Sequence, residues 1–424
     1  MIRFVSVVLS IACGAAGFAV ESVSALHPTS PHPTGEDFRQ ALAASPMVEA
    51  ARARLGSTQR ESAVAGVLPD PRAGLDVGRE AARNGTVTPM YGAMIEQPLP
   101  SWGSRDAQRL SATAQTHRSE AELAEITGEQ AALVSAALAE AEAKRGTVVL
   151  LTEAQQRVHV LKESLRLQIA SGGVSIGAAL ALDTRANELA LQISDAERLI
   201  ADAESEARGR LGIPPSEPLP VAAFPTLAEI DLAATPLALR AAAARASANA
   251  EEREAQARGN PETSVGLGWE REMAGTDDQN DKFRLFLTVS LPVHRAAYEA
   301  AADAARSRAR AAAHEVVGSR WMARSLVARA TRAADQAARA RRAAESLVDR
   351  TRIEMDAVTQ QVATAGSSFV QVMDLLERIT AAQQQVLESE LTSNLALADL
   401  WRLAPPILPV NASRPAEHQV EESH

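Results

Sequence analysis

The sequence predicts a mainly helical chain with a small β part: long antiparallel helical coiled coils and two β-hairpins, in an internally duplicated order. Three observations lead there. First, the chain repeats itself at an offset of about 192 residues, which is read first because it sets the architecture. Ala73-Gly-Leu-Asp-Val-Gly-Arg-Glu80 lies over Val265-Gly-Leu-Gly-Trp-Glu-Arg-Glu272, Leu99-Pro100 over Leu291-Pro292, and Ser45-Pro46 answers Thr235-Pro236. Second, two proline-free stretches, about 105–169 and 296–363, carry an unbroken helical pattern. At about 1.5 Å per residue the first is roughly 100 Å long, a length suited to a coiled coil. Third, four short stretches alternate apolar and polar residues, the two-residue period of a strand.

The strands justify themselves unequally. In the first, Ala73, Leu75 and Val77 oppose Gly74, Asp76 and Gly78. The second, about 90–97, alternates poorly. In the third, Val265, Leu267 and Trp269 oppose Ser264, Gly266, Gly268 and Glu270. In the fourth, Phe283, Leu285, Leu287, Val289 and Leu291 oppose Arg284, Thr288 and Ser290, and Phe286 breaks the rule. Asn84-Gly85 marks the first turn, and the polar run 275–281 separates the second pair. Strands of about 9–11 residues span a bilayer when tilted. Four strands cannot close a barrel, because an open edge cannot face lipid and closure takes about eight or more. Two readings follow: the strands join those of other copies in a membrane, or two soluble hairpins pack on helices.

The remaining elements follow in order. Met1-Ile-Arg3, the apolar run 4–20 and Val23-Ser-Ala25 read as a signal peptide over 1–25, removed on export. Cys13, the only cysteine, falls inside it, and Ser10 stands where a lipoprotein signal needs a leucine-like residue. The mature chain then has no thiol chemistry. Residues 26–220 form a first repeat: a helix over about 36–66, a hairpin over 72–98, the long helix, a glycine turn at 171–175 and a return helix over 176–211. Residues 221–234 connect. Residues 235–404 replay the order, with a helix over about 236–258, a hairpin over 262–292, the second long helix, a turn at 364–368 and a return helix over about 369–401. Residues 405–424 read as a disordered tail. In the first half the two shorter helices together about match the long one, so they should meet end to end near its middle.

Composition narrows the function. The 424 residues carry a formal net charge of −10 and only 3% aromatics. Abundant alanine suits closely approaching helices. The acidic balance gives no footprint for nucleic acid, and Arg339, Arg341, Arg342 and Arg350 alternate with acids as a solvated helix face. The eight histidines lie apart, none paired at ligand spacing on one helix face. No acid/base, nucleophile or phosphate-loop constellation appears, so neither an enzyme nor a cofactor is expected.

Taken in sequence and register, Leu68-Pro-Asp-Pro71, Met94-Ile-Glu-Gln-Pro-Leu-Pro-Ser-Trp-Gly-Ser-Arg-Asp-Ala107, Ser290-Leu-Pro292, the two glycine turns and the duplication resemble the TolC-like outer-membrane efflux factor family. The resemblance covers nearly all of the mature chain. The Ile-Glu-Gln-Pro-Leu-Pro-x-x-Gly form is most similar to the heavy-metal efflux branch. It implies a homotrimer in the outer membrane of a Gram-negative-type bacterium, with a 12-stranded barrel continuous with a periplasmic helical barrel. It implies a passive duct in a tripartite system with a periplasmic adaptor and an inner-membrane pump of the resistance-nodulation-division type. Under it, Leu75, Val77, Val265, Leu267, Trp269, Leu285, Leu287 and Val289 would face lipid. Gly172, Gly173, Ser175, Gly366, Ser367 and Ser368 would form the adaptor-docking tips. Asp374 would ring the periplasmic aperture, with Gln371 where another carboxylate often occurs. An inward ring of carboxylates filters by charge; for Asp374 a solvated helix-face charge is the equal alternative. The alternative function is a periplasmic coiled-coil adaptor with soluble hairpins.

Overall fold

The computed structural model describes residues 35–81, 87–170, 176–225, 230–274, 278–365 and 369–409. In chain order it contains α1 (Glu36–Ala43), α2 (Pro46–Ala63), β1 (Arg72–Ala81), β2 (Val87–Leu99), α3 (Ser104–Ala170), α4 (Ile176–Leu211), α5 (Pro236–Ala257), β3 (Glu262–Ala274), β4 (Asp278–Ser290), α6 (Arg295–Ala365), α7 (Phe369–Ala398) and a 3₁₀ turn (Asp399–Arg402). The compact units cut across the two sequence repeats. One unit takes residues up to Glu49, Ile126–Ile230 and those from Ser325; the other takes Ala50–Glu125 and Asp231–Arg324. The long helices α3 and α6 each give one part to either unit.

The helix expected as one piece over 36–66 is two. The chain turns at Ala44-Ser45, and Pro46 opens α2. A proline at the first helical position lacks a donor that the helix would leave unpaired anyway, but it cannot continue a preceding helix. The same device opens α5, where Thr235 caps the helix and its hydroxyl accepts from the Ala238 amide at 3.2 Å.

In the first unit the core gathers at α1, the second part of α3 and the end of α4. Phe38, Leu42, Val134, Leu138, Leu211 and Trp401 are buried together. The Phe38 and Trp401 rings stack with centroids 6.3 Å apart. The connector is tied down through one carbonyl: Ala223 accepts from the Ser135 hydroxyl at 2.8 Å and from the Trp401 indole at 2.9 Å. Gly212 takes φ 67°, and a side chain there would meet Pro46 at 3.0 Å. The end of α4 thus abuts the start of α2, the end-to-end meeting that helix lengths suggest.

Further along, α3 and α4 zip through Leu151, Val158 and Leu165 against Leu182 and Leu189, a seven-residue repeat on each helix. Lys162 bonds Asp183 across this seam. Arg145 of α3 reaches Glu204 of α4 at 2.5 Å. Burial opposes its charge, but its hydrogen bonds to Glu204 and Glu142 outweigh that and raise its pKa. Arg341 of α6 links Glu345 and, at 3.7 Å, Glu390 of α7.

In the second unit α5 runs along α6, with Glu251 at 2.6 Å from Arg308. Alanines dominate here: Ala248 packs with Ala309 and Ala312. Arg54 of α2 reaches Glu122 of α3 at 3.1 Å, and Arg240 of α5 reaches Glu125 at 3.3 Å. Such exposed pairs orient helices and add little stability, about 0–1 kcal/mol each.

Among the described glycines the tightest approach to another stretch of backbone is at Gly128 of α3, where a Cβ would lie 2.5 Å from the Trp401 carbonyl oxygen. Gly128→Ala must therefore push α3 off the Trp401 turn. The expected cost is about 1–3 kcal/mol, the scale of overpacking, read as a lower denaturation midpoint. Gly209→Ala, with nothing within 4 Å of the added methyl, should leave the midpoint unchanged or raise it.

Candidate functional site

The two hairpins are one sheet. Its strand order is β1-β2-β3-β4, all antiparallel, and the β2–β3 pair joins the two halves of the chain. The register is continuous across the sheet. Leu75 opposes Ala93, Ala93 opposes Trp269, and Trp269 opposes Phe283. One row on, Ala73, Ile95, Leu267 and Leu285 align. Gln97, Val265 and Leu287 form the next row, then Leu99, Thr263 and Val289.

Period-two alternation puts all of these on one face. Leu75 is 86% exposed and Leu285 79%; Val77, Val265, Leu267, Leu287 and Val289 are exposed as well. Trp269 is half-buried, because the Arg271 guanidinium stacks 5.3 Å from its ring centroid. The face also includes Tyr91, Ile95 and Phe283, all exposed. Leaving this much apolar surface to water is costly, at about 25 cal/mol per Å², and a large exposed apolar patch marks an interaction surface. From Phe283 to Leu291, eight steps at about 3.4 Å make roughly 27 Å.

The face has defined ends and few polar intrusions. At the turn end Arg271 and Asp281 lie opposite each other and form two hydrogen bonds, at 2.7 and 2.9 Å. Tyr91 occupies this row and Trp269 the next, and such rings with a polar handle suit a boundary between apolar and aqueous media; Phe283 sits beside Trp269. Gln97 is the intruding amide; it donates to the Pro69 carbonyl at 2.7 Å. Beyond the other end Trp102 is 89% exposed, and its carbonyl accepts from Asn260 at 2.8 Å.

The opposite face is polar and small. It carries Asp76, Glu96, Ser264, Glu270, Lys282, Arg284 and Thr288 beside Gly74, Gly92, Gly266 and Gly268. Arg284 reaches Glu270 at 2.8 Å. Phe286 breaks the alternation for a local reason. It opposes Gly266, and its ring fills the space a Cβ there would need, at 2.1 Å. The ring covers backbone that the glycine leaves bare, an aromatic rescue of a strand glycine. Met94 covers Gly74 in the same way, at 3.2 Å.

β1 and β4 are the sheet's edges, each with a single partner among the described residues. Their outer amide and carbonyl rows have no ladder partner. The sequence missed Tyr91 and Ile95 because β2 alternates weakly alone; the pairing register assigns them.

The other expected site residues are placed less fully. Gly172, Gly173, Ser175, Gly366, Ser367 and Ser368 lie outside the described residues. Gln371 and Asp374 are both exposed on α7. Asp374 pairs within its own helix, at 2.8 Å from Arg378. Among the described residues no three His, Cys, Asp or Glu side chains gather as metal ligands, and no helix is long and apolar enough to cross a membrane.

Long paired helices in duplicated order, with a four-stranded sheet apolar on one face and open at both edges, define the TolC-like fold. Solved structures agree. The outer membrane protein VceC from Vibrio cholerae matches over 86% of this chain and 94% of its own, with a TM-score of 0.72 and 17% identity. The open-state outer membrane channel MtrE of Neisseria gonorrhoeae matches over 87% and 88%, with a TM-score of 0.71 and 18% identity. CusC, whose structures concern folding and transmembrane channel formation, matches over 85% and 89%, with a TM-score of 0.69 and 14% identity. No protein-family model and no curated protein sequence matches the chain.

The one-sided sheet makes a direct prediction. Leu285→Arg puts a charge in the middle of the apolar face, at a cost of about 2–4 kcal/mol where that face meets lipid. The variant should lose membrane recovery and heat-stable oligomer on semi-native gels. Thr288→Arg, on the polar face of the same strand, should retain both.

Proposed function

We propose that the chain is the outer-membrane channel subunit of a tripartite efflux system, a passive duct that a partner pump drives. One observation carries the reading: a four-stranded sheet with an exposed apolar face and two unpaired edges. Lipid offers no hydrogen bonds, so a sheet spans a membrane only as a closed barrel. One chain supplies too few strands, and three copies supply twelve, within the range of outer-membrane barrels. The apolar face, including Leu75, Val77, Val265, Leu267, Trp269, Leu285, Leu287 and Val289, then meets lipid. The face with Glu270, Arg284 and the glycines lines the bore. The likeness to solved outer-membrane channels over most of both chains supports the reading.

The finer parts of the proposal rest on the sequence. The glycine turns with Gly172, Gly173, Ser175, Gly366, Ser367 and Ser368 serve as tips for a periplasmic adaptor, which bridges to a resistance-nodulation-division type pump. Asp374, next to Gln371, contributes one carboxylate per copy to a ring at the periplasmic aperture, partly offset by its Arg378 neighbour. Heavy-metal cations are the proposed cargo class, from the Ile95-Glu-Gln-Pro-Leu-Pro100 motif.

Purified protein in planar bilayers should form trimers with steady conductance, and fractionation should recover it with the outer membrane. Recovery only in the soluble periplasm would favour a coiled-coil adaptor and reject the duct. Asp374→Ala should lower cation selectivity, seen as a shifted reversal potential in a salt gradient. An unchanged potential would remove Asp374 from the conducting path.

A further inference from the structure

The polar face of the sheet is interrupted by two apolar caps in equivalent places of the two hairpins. Met94 on β2 lies over Gly74 on β1, and Phe286 on β4 lies over Gly266 on β3. The offset is 192 residues for caps and glycines alike, and each cap is the direct register partner of its glycine. Duplication has therefore placed one device twice, at one level of the wall. In both hairpins a long apolar side chain leans across the ladder onto the preceding strand. A Cβ on Gly74 would meet the Met94 side chain at 3.2 Å, and one on Gly266 the Phe286 ring at 2.1 Å.

Shielding bare backbone accounts for a cover but not for its chemistry. A glutamine of similar reach would cover a strand glycine and stay hydrated. The covers here are a thioether and a benzyl ring, on a face otherwise held by charged, hydroxyl and glycine residues. Their outer sides stay open: Met94 is 42% exposed and Phe286 is only partly buried. Such surface gains when an apolar solute replaces the water on it.

The neighbouring charges narrow the solute. Asp76 and Glu96 follow Gly74 and Met94 by two residues on the same face of β1 and β2. Neither carboxylate has an ion pair or side-chain hydrogen bond among the described residues. Arg72 stands opposite Glu96 without pairing with it. By the other cap, Arg284 is engaged by Glu270 at 2.8 Å. A phenyl face attracts cations, and a thioether makes favourable contacts with aromatic rings. An organic cation with aromatic surface meets all three features.

We propose that Met94 and Phe286 form an apolar belt on the bore wall, two caps per chain and hence six in a trimer, on which aromatic organic cations pause in transit. The proposal rests on the channel reading above, which makes the polar face the bore, and it adds a ligand subsite that metal cargo does not call for. A barrel of this width stays wet past its side chains, so the caps act by weak, reversible adsorption and not by plugging.

Single-channel recording in planar bilayers tests it, with tetraphenylphosphonium as the aromatic cation and tetramethylammonium as a cation without aromatic surface. Tetraphenylphosphonium should interrupt the current in proportion to its concentration, and tetramethylammonium at the same concentration should not. The Met94→Gln, Phe286→Leu double variant keeps a cover over each glycine but removes the sulfur and the ring. In it the half-blocking concentration should rise about five- to tenfold, with open conductance unchanged. Met94→Gln alone should give a smaller rise in the same direction, and it carries the test if the double variant does not assemble. An unchanged half-blocking concentration in a conducting variant, or equal block of the unmodified protein by both cations, overturns the belt and leaves the duct reading standing. A purified protein that never conducts overturns both.

Discussion

An unpaired strand edge is tolerable in water and not in hydrocarbon. That constraint governs this molecule more than any single contact. Among the described residues the outer rows of β1 and β4 lack ladder partners, while the sheet between them exposes an apolar face from Phe283 to Leu291. Each fact alone has an ordinary explanation in an aqueous protein. Under the proposed duct, they require that the edges find strands elsewhere before the face meets lipid. The polar, glycine-rich reverse face completes the argument, since the bore of a wide barrel is wet and its walls need no filling.

The helical part answers a different demand. Its contacts use alanines and heptad leucines where a globular domain would use large side chains, as with Ala248 between Ala309 and Ala312. Aromatic rings join aliphatic side chains in the cluster of Phe38, Leu42, Leu138, Leu211 and Trp401. There the connector carbonyl of Ala223 takes two donors, and Gly128 lets the Trp401 turn lie directly on α3. Thin helical layers thus depend on close backbone approach, and glycine and alanine set the spacing.

Much of this was legible from the residues, and the reasons for the rest are physical. The long helices showed themselves because no proline interrupts them, and the duplication because its prolines keep register. The joining of β2 to β3 was not legible, since pairing of strands so distant in sequence leaves no local signature. Tyr91 and Ile95 were hidden for the same reason: their strand alternates weakly, and only its neighbours define its faces. Phe286 looked like an error of pattern and is a response to Gly266 on the adjacent strand. The break at Ala44-Ser45 could have been read from Pro46, which the duplication itself pairs with Pro236. The ion pair of Asp374 with Arg378 follows simple four-residue spacing, a signal the helix pattern itself carries.

The β2–β3 junction has a kinetic consequence. Because one polypeptide carries both hairpins, every second seam of the proposed cylinder is formed by folding and not by encounter. A hairpin tethered to its neighbour through the same chain meets it without a bimolecular encounter. Gene duplication has in this sense halved the molecularity of construction: the yield of finished pores scales with the third power of free subunit, where separate half-length chains would face the sixth.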